Sequence, residues 1–91
     1  MLDQISDLFE QIKRDFPHSP TELETFASGA AMLDVRLGDR LFVFAYSPES
    51  GFGIDEVLED EGFDYGYRFL SKDFNSAVEE LYRLLRTTPP L

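Results

Sequence analysis

The sequence predicts an α+β domain, with a three-stranded, antiparallel-type sheet packed by an N-terminal and a C-terminal amphipathic helix. Three observations predict it. Met32 to Tyr46 holds two alternating apolar runs around the two-residue turn signal Gly38-Asp39, so the sheet is centred on a hairpin over 32–46. Leu2 to Phe16 and Phe74 to Arg86 both repeat apolar residues at helical spacing. Tyr65 to Leu70 alternates aromatic and small or charged residues as a third strand would.

In the first helix, Leu2, Ile5, Leu8, Phe9, Ile12 and Phe16 form one stripe, with acids early and Lys13 and Arg14 late, complementing the helix dipole. Pro17 disfavours helical geometry at Phe16 and ends the helix there. Ser19-Pro20-Thr21-Glu22 has the form of a capping box with proline at the first helical position. It predicts a short second helix over Pro20 to Ala27, ended by Gly29, although the alternation from Thr21 to Phe26 also allows an extended segment. His18 beside this cap has no marked partner and reads as a loop residue.

The hairpin strands run from Ala30 to Leu37 and from Arg40 to Ser47. Counting outward from the turn, Leu37 faces Arg40, Arg36 faces Leu41, Val35 faces Phe42, Asp34 faces Val43 and Leu33 faces Phe44. A slip of one residue would set charges among the aromatic row, so the register is well specified. Ser47 to Gly53 reads as turn chemistry, and Ile54 to Asp64 as an acidic loop or helical turn tethered by Val57, Leu58 and Phe63. Ser71-Lys72-Asp73 supplies the cap of the final helix, whose stripe is Phe74, Ala77, Val78, Leu81, Leu84 and Leu85. Residues 87–91 read as a frayed tail.

The chain of 91 residues is of single-domain length, and a 43% apolar content argues against general disorder. It has no Cys, hence no disulfide framework and no thiolate chemistry. No leader is expected from Met1-Leu2-Asp3-Gln4, and no apolar run approaches membrane-spanning length, so a cytoplasmic location is expected. No catalytic, metal or cofactor motif stands out. Aligning Gly62 with the glycine of a calcium loop puts Val57 and Arg68 at ligand positions, which excludes that site. Adjacent acids on one segment do not make an acid/base pair across a cleft, and enzymatic activity is not expected.

Charge is the strongest functional signal. Eighteen acids against eight bases give −10, which disfavours nucleic acid and membrane as direct ligands and favours a basic partner protein. Seven acids and no Lys or Arg lie between Arg40 and Arg68. The expected contact residues are therefore Glu49, Asp55, Glu56, Glu59, Asp60, Glu61 and Asp64, with Phe52 and Phe63 as apolar anchors. The opposite face of the hairpin, Leu41, Val43 and Ala45, is more apolar than a solvent face requires. Cover from within the chain, by the short second helix or the acidic loop, is the favoured expectation, and a partner, including a second copy in a homodimer, is the alternative.

In size, charge and architecture the chain resembles immunity proteins that neutralise nuclease toxins, including those of contact-dependent inhibition. It also resembles nucleic-acid-mimicking anti-CRISPR proteins and the dimeric type III secretion chaperones. The first resemblance implies an inhibitor that neutralises a basic partner through the 49–64 segment. The second implies an acidic surface offered to a DNA channel. The third implies apolar grooves that hold an unfolded effector segment.

Overall fold

A computed structural model of the protein describes residues 1–57 and 69–87. Helix α1 spans Leu2–Asp15. Five strands follow: β1 (Thr21–Thr25), β2 (Ala31–Leu37), β3 (Arg40–Ser47), β4 (Gly51–Val57) and β5 (Phe69–Ser71). Helix α2 spans Phe74–Thr87. The strands form one antiparallel sheet in the order β1-β2-β3-β4-β5. The α+β class stands, but the sheet has five strands where the sequence predicts three.

The two added strands replace elements expected to be helix and loop. Residues 21–25 are β1 rather than the second helix. Its Leu23 pairs with Leu33, and the Arg36 N–H donates to the Pro20 carbonyl at 2.9 Å. The Ser-Pro-Thr-Glu pattern is satisfied without a helix, because the Thr21 hydroxyl donates to the Ser19 carbonyl at 3.0 Å. Residues 51–57 are β4 rather than a turn and an acidic loop. Phe52 and Ile54 alternate inward there, at 2% and 1% exposure. The third predicted strand, 65–70, survives as β5 at Phe69–Ser71; residues 65–68 lie outside the described residues.

The hairpin itself has the predicted register, from Leu37↔Arg40 to Leu33↔Phe44. Gly38 sits at φ 64°, the left-handed geometry that a two-residue turn of this kind requires.

Residues directly opposite on paired strands share a face. Leu33, Val35, Phe42, Phe44, Phe52 and Ile54 therefore share one face, and all are buried. Both helices cover that face, α1 over β1 and β2, and α2 over β4 and β5. Ile5, Leu8 and Ile12 enter the core from α1, and Ala77, Leu81 and Leu85 from α2, joining Phe42 and Phe44. Phe74 stands edge-on to Phe44 and Phe52, with centroids 6.4 and 5.6 Å away. Asp73 caps α2 by accepting the Ser76 amide at 2.9 Å and the Ser76 hydroxyl at 2.8 Å. The Tyr82 hydroxyl donates to Asp15 at 2.9 Å, tying α2 to the end of α1. Burial, reinforced by that carboxylate, pushes the Tyr82 phenol up to about 12.

Candidate functional site

The face turned away from the helices carries the side chains that the core does not use. Register places Glu22, Asp34, Val43 and Asp55 in one row across β1 to β4. The neighbouring row is Glu24, Met32, Ala45, Gly53 and Leu70, and it crosses all five strands. An acidic row thus lies beside a row that is apolar from Met32 to Leu70.

Glu22 stands directly opposite Asp34, an arrangement of like charges that costs stability. The Oδ1 atom of Asp34 is buried and has no hydrogen-bond partner among the described residues. Burial raises the Asp34 carboxyl above its ordinary range, Glu22 and Glu24 raise it further, and Arg36 opposes them.

This has a measurable consequence. A carboxyl whose folded-state pKa exceeds its unfolded value binds more protons in the native state. Its contribution to stability therefore falls as pH rises from about 4 through the folded-state value. Asp34→Asn removes that contribution. The variant should be more stable than wild type at pH 7, and its advantage should shrink as the pH is lowered through this window. Urea denaturation at several pH values measures the difference; an advantage that grows on acidification would contradict the assignment.

The apolar row encloses a trough. Ala45 and Gly53 are small and sit at its centre, Met32 and Leu70 stand on either side, and Phe26 also lines it. Its volume is about 480 Å³. Phe26 is 44% exposed and Leu70 66%, two of four large exposed hydrophobic residues among those described.

The acidic 49–64 segment is divided. Glu49 is exposed in the β3–β4 turn, where its carbonyl accepts the Lys72 ammonium at 3.0 Å. Asp55 lies on the face away from the helices, and its Oδ1 accepts the Glu56 amide at 2.8 Å. Glu56 lies on the other face and is bound in a bidentate pair, Arg40 Nε to Oε2 at 2.7 Å and Nη2 to Oε1 at 2.6 Å. That charge is already met from within. Phe52 is a core residue, packed on Phe44, Tyr46 and Phe74, and has no side-chain surface to serve as the expected anchor. Glu59, Asp60, Glu61, Phe63 and Asp64 lie outside the described residues.

Sequence reasoning missed Glu22, Glu24 and Asp34 as one surface, and missed Phe26, Met32 and Leu70 as its apolar neighbours. The signal was the alternation in Thr21-Glu22-Leu23-Glu24-Thr25, which sets both glutamates on one face once the segment is a strand.

Among the described residues no group of three His, Asp or Glu could hold a metal ion, and no helix is long and apolar enough to cross a membrane. Protein-family models, characterised proteins and solved structures give no match to this chain.

Proposed function

We propose that this protein works by binding another protein with a basic surface, as an inhibitor or immunity-type protein does. The observation that carries the reading is the distribution of charge. Glu22, Glu24, Asp34 and Asp55 share the sheet face that neither helix covers. Among the described strand residues Arg36 is the one base on that face, whereas the helices carry Lys13, Arg14, Arg83 and Arg86 beside Asp3, Asp7, Glu10, Asp15, Glu79 and Glu80. On a chain of net charge −10, a face with four carboxylates against one base steers a basic partner to it and raises its association rate. The 49–64 segment contributes Glu49 and Asp55 to the same acidic character.

Self-association through Leu41, Val43 and Ala45, or chaperoning of an apolar segment there, is less well supported. Val43 is only 3% exposed, so the middle of that patch has little area to bury. The same carboxylates would serve a nucleic-acid mimic if the partner is a protein whose basic surface binds DNA or RNA.

The test begins with a partner captured from native lysate and purified. Its association kinetics are measured with wild type, with the double reversal Glu22→Lys and Glu24→Lys, and with the triple reversal Glu59→Lys, Asp60→Lys and Glu61→Lys. At low salt at least one reversal should slow association roughly tenfold or more, and the difference should shrink at high salt. If both associate as fast as wild type at low salt, the acidic surface is not what the partner recognises.

A further inference from the structure

We infer that the trough over Ala45 and Gly53 is the seat for one large apolar side chain of a basic partner segment, whose flanking lysines or arginines lie along Glu22, Glu24 and Asp34. This rests on the charge-based reading above and specifies where and how that partner docks.

The trough is built by register. In the row Glu24↔Met32↔Ala45↔Gly53↔Leu70 the two smallest apolar side chains fall on adjacent central strands, with longer ones on both sides. Its volume of about 480 Å³ accommodates a branched aliphatic or aromatic side chain together with part of its backbone. Phe26 and Leu70 leave apolar surface at its margins that a seated side chain would remove from water. The acidic row runs two residues further along the strands, a distance of about 7 Å. That matches the reach of a lysine or arginine next to the seated residue.

Charge decides between occupants. A second copy of this chain, placed face to face, would bring two acidic rows together on two chains of net charge −10. A purely apolar ligand would fill the trough but leave the Glu22–Asp34 repulsion unrelieved. A basic segment with an apolar anchor answers both. It follows the usual division of labour, in which a desolvated anchor holds the complex and surrounding charges set specificity and on-rate.

The experiment selects a random peptide library displayed on phage against the full chain. Enriched peptides are then synthesised and titrated into ¹⁵N-labelled protein. They should share a large apolar residue flanked by Lys or Arg, and should shift the amide signals of Met32, Ala45, Gly53 and Leu70. Leu70→Asp should weaken binding at least tenfold while leaving the thermal midpoint unchanged, since Leu70 is exposed. The substitution adds a negative charge, so pure charge attraction would instead strengthen binding. Ala45→Leu, which fills the floor, should act in the same direction. No enrichment, enriched peptides without basic residues, or shifts confined to other surfaces would overturn the inference.

The captured partner separates this inference from the reading beneath it. If Glu22→Lys with Glu24→Lys slows that partner and Leu70→Asp does not affect it, the charge reading stands and the apolar seat falls. If neither surface matters and the 59–61 reversal is also silent, both fall. Sensitivity to Leu70→Asp alone removes the basic flanks and overturns the inference as stated.

Discussion

Phe52→Ala should destabilise the protein by about 3–5 kcal/mol, read from urea denaturation. At 2% exposure the ring lies 5.6 Å from Phe44, 5.0 Å from Tyr46 and 5.6 Å from Phe74, centroid to centroid. Truncation would leave a cavity where β3, β4 and α2 meet, and these elements cannot all collapse inward to fill it. The experiment also separates two roles for the same residue. As a surface anchor, Phe52 would tolerate alanine within about 0.5 kcal/mol and lose only its partner. A loss of stability below about 1 kcal/mol would contradict its place in the core.

The second large effect is expected at Gly51. It opens β4 at φ 83°, and a Cβ there would stand 2.6 Å from the Ser71 carbonyl oxygen and 3.1 Å from Lys72 Cδ. The lysine methylene can move aside, but the carbonyl belongs to the backbone of β5. Gly51→Ala therefore combines left-handed backbone strain of about 1–2 kcal/mol with displacement of an edge strand only three residues long. A total of about 2–4 kcal/mol is expected from chemical denaturation. Hydrogen exchange should show β5 losing protection before β2 or β3. An alanine variant as stable as wild type would mean that β5 does not approach Gly51 this closely.

Both helices and the central hairpin were legible in the sequence, because each rests on a long period that nothing contradicts. The hairpin register followed from a two-residue turn and the alternation around it, where a slip would bury Asp34 or Arg36. The outer strands were obscured by strong local signals with another meaning. Ser19 to Glu22 has the composition of a helix start, yet Leu23 gains more by pairing with Leu33 beneath α1 than a helix of about two turns would offer. In β4, glycines on both sides of Phe52 and the pair Asp55-Glu56 suggested a polar loop. The alternation of Phe52 with Ile54 was visible, but Glu56 breaks it. That residue is tolerated on the helix-covered side because Arg40, one strand away, meets it with a bidentate pair.

The candidate surface was legible in its chemistry and not in its position. An excess of acids is a property of composition. Which carboxylates stand together depends on strand pairing between residues far apart in the chain, as with Glu22 and Asp34. The emphasis on 49–64 followed from counting charges along the sequence, which cannot show that Glu56 turns to one face and Asp55 to the other.

The order of the strands bears on how the chain is made as well as on what it becomes. Each of β2 to β5 hydrogen-bonds the strand that precedes it, so only β1 emerges from a ribosome before its partner, and that partner is the next strand. Helix α1 comes first and rests on β1 and β2, so the early strands have a cover as soon as they pair. The later half lacks that protection. Phe44, Phe52 and Ile54 stay uncovered until α2 has been translated and docks. The interval between the synthesis of β4 and the release of α2 is when this chain is most open to aggregation and to capture by chaperones.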